Sequence, residues 1–477
     1  METNEPIRTP TLRRRRRSKL QIFKEAYLPT LIMITTAVLV LVFVIGGLVK
    51  NNPNKNLSTG HSGSTATSST TGANTSPTDS LPPSTVDQAL IQEASYLLEQ
   101  AAILANDYDY AGAVTLLESF SGLKSDFPEL TAAINRYQAA DDEMVAWDSS
   151  DVYDLSFHVL IADPQRAFTD AVYSNSYRMN FITVTEFCNI LDELYAGGYI
   201  LVDLEDFYSL EYSSTLGDYV YVEKQLRLPS GKKPIMLTEL SASYYGYMQT
   251  GAQDGMADGF ASRLAFDGKQ FYNELIHADG SVSTGAYDMV PLLEEFIAEH
   301  PDFSYRGARA VISFAGYDRI LGYRVNDAAL SANMLQVERD SLKATVDALK
   351  AAGYKLGCYT YNNVNYLNMS AEAIFDDISM WMDKVAPWVG EVDIMVFARE
   401  GDIIGTQDPY SGTSKFNVLY NAGFRFFLGA GDTPWSQVAE RYVRHDRLMV
   451  TGGYLVSKAN LYETLFDATA VLDPIRY

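Results

Sequence analysis

The chain has 477 residues, of which 37 are Lys or Arg and 60 are Asp or Glu, so its formal net charge is −23. The first fifty residues hold 9 of the basic and 3 of the acidic side chains, which leaves 28 basic against 57 acidic ones, a formal charge of −29, for the rest. Such a surface repels phosphate polymers, so we exclude nucleic acid as a ligand and expect neutral or cationic partners. Cys188 and Cys358 are too few for a disulfide-rich module, and the sequence leaves open whether they pair.

Residues 31–49 are uncharged and rich in Leu, Ile and Val. At about 1.5 Å rise per residue they span roughly 28 Å, close to the thickness of a bilayer's hydrocarbon core. Seven basic residues lie between positions 13 and 24, and only Lys50 follows the apolar segment. The positive-inside rule therefore predicts a basic cytoplasmic tail over residues 1–28, a transmembrane helix over 29–50 and an extracellular remainder. A cleaved signal peptide is the alternative, although it would be shorter and would end in small residues, unlike GGLVKNNPNK.

Residues 51–85 are rich in Ser, Thr, Gly and Asn and contain few bulky apolar side chains, which is typical of a disordered linker. Apolar residues then return at helical spacing over residues 86–140. This segment predicts a tetratricopeptide-like helical hairpin, with Tyr110, Ala113 and Leu117 on its inner face. A single unit cannot form a peptide-binding array, so we expect it to pack on the next domain or on a partner.

From residue 151 to residue 477, strand patterns alternate with helix patterns. Three stretches repeat one unit, a helix end followed by Gly, an aromatic residue and a strand: LDELYAGGYILVD, VDALKAAGYKLGCYT and NVLYNAGFRFFLG. Glycine accepts the left-handed conformation that ends a helix. Further strands are predicted in KPIMLTEL, ARAVISFAG and EVDIMVFARE. The pattern indicates one α/β barrel-like domain with its site at the carboxyl ends of the strands.

The order of these segments resembles the polysaccharide deacetylase family, also described as the chitooligosaccharide deacetylase homology domain. The matching stretches include FHVLIADPQRAF, KKPIMLTELSASYYGYM, VDALKAAGYKLGCYTYNNVNYLNMS and LYNAGFRFFLGAGDTPW, and the resemblance covers essentially residues 151–477. It implies an irregular (β/α)7-type barrel and an extracellular carbohydrate-related role. It also places this chain among divergent members, because the metal-site motifs are missing.

Members of that family bind a divalent metal, usually zinc, through one Asp of an Asp-Asp pair and two His spaced four apart, and metal-bound water attacks the acetamide. The resemblance places the Asp pair at Leu240 and Ser241 and the His pair at Tyr359 and Asn363. These residues can neither hold a dication nor accept a proton from water. We therefore predict no catalytic residue, no metal site and no cofactor; zinc or another divalent metal returns only if the chain is an active enzyme.

Tyr and Asn at a barrel mouth retain hydrogen bonding and stacking area for a sugar. We therefore predict a substrate-binding set at the strand ends, composed of Ser241, Tyr244, Tyr359, Tyr361, Asn363 and Arg399. An unused site that has drifted to polar residues is an equal alternative.

Acidic residues at strand ends offer a further alternative, glycosidase chemistry by two carboxylates. Glu239 precedes the lost Asp pair, and Glu400 and Asp402 follow the strand in EVDIMVFARE. Alternation along a strand, however, places Glu239 and Leu240 on opposite faces. His158 is interpreted as a hydrogen-bonded core residue rather than a metal ligand.

The favoured hypothesis is a membrane-anchored protein of the bacterial cell envelope whose degenerate deacetylase domain binds cell-wall glycan or an envelope protein. The enzymatic alternative is an active carbohydrate deacetylase or hydrolase with relocated catalytic residues. A third hypothesis is a scaffold in which the helical hairpin makes the important contact.

Overall fold

The computed structural model describes residues 87–250, 256–404, 409–410 and 412–476. The predicted cytoplasmic tail, transmembrane helix and linker lie outside the described residues. Within the ranges that are described, no helix is both long and apolar enough to cross a bilayer. The helical segment and the α/β segment belong to one compact unit, Pro83–Tyr477.

The helices are α1 (Gln88–Asn106), α2 (Tyr110–Glu118), α3 (Pro128–Asp142), α4 (Pro164–Ala167), α5 (Ser174–Asn180), α6 (Val184–Ala196), α7 (Tyr247–Thr250), α8 (Met289–Glu299), α9 (Ala332–Ala352), α10 (Ala371–Lys384), α11 (Ala386–Val389), α12 (Ser414–Ala422) and α13 (Gly452–Ser457). The strands are β1 (Val145–Trp147), β2 (Tyr153–His158), β3 (Tyr199–Leu201), β4 (Tyr208–Ser213), β5 (Asp218–Glu223), β6 (Leu226–Leu228), β7 (Lys233–Leu240), β8 (Ala261–Phe266), β9 (Phe271–Ile276), β10 (Val282–Gly285), β11 (Val311–Phe314), β12 (Lys355–Cys358), β13 (Ile394–Val396), β14 (Phe426–Ala430), β15 (Ser436–Ala439) and β16 (Tyr442–Met449).

The helical hairpin, α1 and α2, forms as the apolar spacing predicts. Asp87 caps α1 by accepting a hydrogen bond from Ala89 N, and the buried residues Ala113 and Leu117 lie on the inner face of α2. The hairpin packs on the segment that leads into β11. There the Tyr108 hydroxyl donates to the Asp302 carbonyl at 2.9 Å. The hairpin therefore contacts the α/β domain of its own chain, one of the two expected outcomes.

Seven parallel strands form a closed barrel, in the order β2, β7, β11, β12, β13, β14, β16 and back to β2. The ring closes at β7, which pairs with β2 on one side and with β11 on the other through Val311 opposite Thr238. This is the (β/α)7-type architecture that the sequence predicts. Parallel strands present all their carboxyl ends at the same rim, so the loops that follow them share one end of the barrel.

Two of the three repeated helix ends have the predicted glycine geometry. Gly353 and Gly423 end α9 and α12 in the left-handed region, at φ 105° and 116°. At the end of α6 the left-handed residue is Gly198 (φ 79°), one position after the helix-capping glycine. Each unit continues through a buried aromatic residue into a strand, as the sequence indicates.

Several smaller sheets lie outside the barrel. The sequence analysis does not predict them. The strands β8, β9 and β10 form an antiparallel sheet, and β4 pairs with β5 and β1 with β6. Cys358 is buried and Cys188 half-buried, and both are free thiols. The two cysteines therefore do not pair.

Candidate functional site

A cleft of about 590 Å³ opens at the carboxyl ends of the barrel strands. Five strands or the loops that follow them contribute to it: His158 at the end of β2, Ser241 after β7, Tyr359 after β12, Arg399 after β13 and Met449 at the end of β16. Its size is within the range of small-molecule sites. The cleft occupies the rim where the alternation of strands and helices predicts a site.

Four of the six predicted site residues meet in this cleft: Ser241, Tyr359, Asn363 and Arg399. The other two lie elsewhere. Tyr244 is fully buried and accepts a hydrogen bond from Asn273 Nδ2 at 3.3 Å. Tyr361 lines a separate cavity beyond the cleft wall.

The residues at the positions expected for metal ligands, Leu240, Ser241, Tyr359 and Asn363, all line the cleft. Their chemistry does not fit a zinc site, which needs imidazole, thiolate or carboxylate donors. Throughout the described part of the chain, no group of three or more His, Cys, Asp or Glu side chains is placed to hold a metal ion.

The strand-end loops hold five non-glycine residues in the left-handed backbone region, with φ between 53° and 58°: Ser241, Thr360, Asn363, Arg399 and Glu400. Such conformations are costly for residues with a Cβ and occur mainly at functional sites. Hydrogen bonds between the loops maintain them. Arg399 Nε donates to the Asn363 carbonyl at 2.8 Å, and Asn365 Nδ2 donates to the Arg399 carbonyl at 3.2 Å. These two hydrogen bonds link the loop after β12 to the loop after β13.

A buried cation lies at the base of the cleft. Arg447 is 1% exposed, and its Nη2 donates to the Phe397 carbonyl at 3.0 Å. Its Nε and Nη1 atoms have no hydrogen-bond partner among the described residues. It is the register partner of Asp154, so both side chains share one face of the sheet. Burial raises the pKa of Asp154 to about 7, against the effect of the Arg447 cation.

Arg447 is a site residue that sequence reasoning missed. It belongs to YVRHDRLM, in which every residue of β16 is buried although four of the eight are charged or His. A strand with that composition resembles a surface strand. The sequence signal that could have identified Arg447 is its position, directly before the apolar run LMV and at the end of the polar stretch RHDR.

The glycosidase alternative requires two carboxylates across the cleft, and the structure separates them. Glu239 is buried on the opposite face of β7 from Leu240, as alternation predicts. There it adjoins Asp288, and burial together with the Asp288 carboxyl raises the pKa of Glu239. Asp402 forms an ion pair with Arg444 at 2.8 Å. Of the three proposed acids, Glu400 alone lines the cleft.

His158 lines the cleft rather than the core, with its ring 5.3 Å from the Phe181 ring. Burial lowers its pKa to about 4, an effect to which the Arg447 cation adds. The imidazole is therefore neutral at pH 7. Within the described chain it belongs to no group of three or more His, Cys, Asp or Glu side chains placed to hold a metal ion, so it does not restore the lost site.

Aromatic side chains form one wall of the cleft, the aromatic wall. They come from α5 and its flanks and from the segment that leads into α7: Tyr173, Tyr177, Phe181, Tyr245 and Tyr247. The Tyr245 hydroxyl is hydrogen-bonded to Ser241 Oγ. The cluster SASYYGYM indicates this wall, but the positive φ of Tyr244 turns that side chain away from the cleft.

No protein-family model and no curated protein matches the sequence. Among solved structures, the chain is similar to a de-N-acetylase from Aggregatibacter actinomycetemcomitans, with 12% identity, 63% of this chain and 95% of that chain covered, and a TM-score of 0.34. It is also similar to the Streptococcus pyogenes deacetylase PplD in complex with acetate, with 11% identity, 68% and 99% covered, and a TM-score of 0.33. Similarities at such low identities and TM-scores do not indicate the activity of this chain. The strand order by itself shows a closed barrel of seven parallel strands, the (β/α)7-type architecture that the resemblance implies.

Proposed function

We propose that the barrel is a carbohydrate-binding domain of the bacterial cell envelope that does not carry out metal-dependent deacetylation. The observation that carries this proposal is the composition of the cleft. Leu240, Ser241, Tyr359 and Asn363 occupy the positions expected for metal ligands, and the aromatic wall lines the same cleft. Tyrosine rings offer an apolar surface to the face of a sugar, and their hydroxyls, with the amide of Asn363, match its polar edge.

The hydrogen-bonded rim supports binding rather than chance retention of polar residues. Left-handed residues such as Asn363 and Arg399 persist only where surrounding contacts maintain them. A preformed cleft loses less entropy when a ligand binds. A site that no longer binds a ligand would gain nothing from loops with such costly backbone conformations.

The test is equilibrium binding of the full-length protein to a hexamer of β-1,4-linked N-acetylglucosamine, measured by calorimetry. Tyr359→Phe removes one hydroxyl, and Asn363→Gly removes the amide while accepting φ 53° without strain. Each substitution is expected to weaken binding roughly two- to tenfold, the value of one hydrogen bond. Tyr96→Phe, on a 60% exposed residue of α1, is the matched control and leaves binding unchanged.

The same preparations are assayed for bound divalent metal and for acetate release. Stoichiometric metal together with acetate release overturns the proposal and favours the active hydrolase. No binding of the hexamer at millimolar concentration also overturns it and favours an envelope protein as the partner.

Membrane anchoring and extracellular placement are part of this proposal. They rest on the apolar segment over residues 31–49 and the basic residues before it. We expect the full-length chain, but not a variant lacking residues 31–49, to sediment with membranes. Protease added to intact cells is expected to digest the barrel and spare the amino-terminal tail, and digestion of the tail alone contradicts this orientation.

A further inference from the structure

The aromatic wall of the cleft continues as a stack of three tyrosines. Tyr245 and Tyr247 lie nearly parallel, with ring centroids 5.9 Å apart and an interplanar angle of 15°. Tyr245 stacks in the same way on Tyr317, at 5.1 Å and 20°. The outer rings are therefore at most 11 Å apart. Tyr317 comes from the loop after β11, so the stack joins two strand-end loops.

The far side of this stack borders a second cavity of about 670 Å³. Two aromatic rings and a set of polar side chains line it, among them Tyr317, Tyr361, Asp318, Arg319, Asn326 and Lys384. Aromatic rings beside dense hydrogen-bonding groups can bind the face and the hydroxyls of a sugar together. Tyr361, which the sequence predicts as a site residue, belongs to this cavity.

Hydrogen bonds from backbone N–H groups hold the loops that line the second cavity. Asp318 Oδ2 accepts from Gly246 N at 2.6 Å, which links the loop after β11 to the cleft wall. Gly316 N donates to the Tyr361 carbonyl at 3.1 Å, and Tyr361 N donates to Asp377 Oδ2 at 2.7 Å. A Cβ on Gly316 would overlap Val385 Cγ2 and lie 2.7 Å from the Tyr361 ring. The cavity is therefore tied to the same loops that form the cleft.

The two outer rings of the stack are open to solvent. Tyr247 is 41% exposed and Tyr317 is 46% exposed, whereas Tyr245 between them is buried. Exposed aromatic side chains in a row, with a polar cavity at each end, differ from scattered surface tyrosines. The distance between the outer rings is one that consecutive sugars of a single chain can cover.

We propose that the second cavity is a further saccharide subsite, and that one linear glycan passes from the cleft across Tyr247 and Tyr317 into it. This inference rests on the proposed function and adds the substrate class, a glycan chain long enough to occupy both cavities. A disaccharide occupies the cleft alone.

The experiment compares a dimer and a hexamer of β-1,4-linked N-acetylglucosamine on the full-length protein by calorimetry. The hexamer is expected to bind the native protein roughly tenfold more tightly than the dimer, because it adds a second contact at no further translational cost. Tyr317→Ala should reduce that ratio to below about threefold without changing dimer affinity. Tyr317→Phe keeps the ring and should restore the ratio. Tyr96→Ala, on the exposed side of α1, is the control.

Dimer affinity in Tyr317→Ala reports whether the cleft is intact. An unchanged dimer affinity with a reduced ratio supports the subsite. If the hexamer-to-dimer affinity ratio is unchanged in Tyr317→Ala, the inference is overturned and the proposed function stands. Equal weakening of dimer and hexamer also leaves that ratio unchanged and overturns the inference, because Tyr317 then acts only on the cleft. If neither sugar binds the native protein, the proposed function and the inference both fail.

Discussion

The ion pair between Arg476 and Glu186 anchors the carboxyl-terminal residues beside the wall of the cleft. Glu186 is completely buried and accepts from Arg476 Nε at 2.6 Å. The same guanidinium donates to the Arg178 carbonyl at 2.6 Å and to the Phe181 carbonyl at 3.1 Å. Replacing Arg476 by Met removes these three hydrogen bonds and a fourth, from Nη2 to Glu186 Oε2, and leaves a buried carboxylate without its cation.

Breaking a buried pair from one side costs about 3–5 kcal/mol. Glu186 keeps two backbone donors, Thr183 N at 2.9 Å and Asp473 N at 3.2 Å, so we expect Arg476→Met to lower the free energy of unfolding by about 3 kcal/mol, the lower end of that range. Urea denaturation of the full-length protein at pH 7 measures it. Lys343→Met is the matched control, because its partner Asp347 and Lys343 itself are 60% and 67% exposed. That control should cost less than about 0.5 kcal/mol.

The double variant Glu186→Gln with Arg476→Met separates the charge from the packing. Neutralising Glu186 should recover part of the loss, since no unpaired buried charge remains. A loss below about 1 kcal/mol for Arg476→Met, or a double variant as unstable as the sum of both single variants, would refute the reasoning.

Three further predictions concern the barrel interior, the second cavity and the thiols. Asp154 has its pKa raised to about 7 by burial, so the stability that it contributes is fully present below about pH 4 and is lost as the pH rises through 7. Denaturation at pH 5 and pH 8 should therefore show the native protein losing stability relative to Asp154→Asn, and parallel pH profiles would contradict this. Because a Cβ on Gly316 would overlap Val385 Cγ2 and approach the Tyr361 ring to 2.7 Å, Gly316→Ala should displace both side chains and abolish the hexamer preference while dimer binding persists, which calorimetry checks. Mass spectrometry after alkylation of the unfolded protein without reductant should find both Cys188 and Cys358 modified, and a pair resistant to alkylation would contradict the free thiols.

Local features of the sequence predicted much of the barrel. KPIMLTEL forms β7 over all eight of its residues, and Gly353 and Gly423 end their helices in the left-handed region. Strand alternation also placed Leu240 in the cleft and Glu239 away from it. These features depend on spacing along a few residues and on backbone freedom at single positions.

The membership of the site could be predicted only in part. Ser241, Tyr359, Asn363 and Arg399 follow strands whose carboxyl ends must share one rim, so their convergence follows from the fold class. Tyr244 and Tyr245 are neighbours of which only Tyr244 has a positive φ, and no pattern in the sequence distinguishes which of them faces the cleft.

The sequence by itself therefore determined the order of strands and helices and the rim that carries the site, because caps, periodicity and alternation act over short distances. Only the tertiary structure decided which side chains meet. Arg447 faces the cleft because barrel closure places β16 beside β2, and Tyr317 joins the tyrosine stack because two strand-end loops are adjacent in space. From the sequence, the charged residues of β16 are expected to be exposed to solvent. In the structure they are buried by strands that are distant in sequence, and the local pattern contains no information about those contacts.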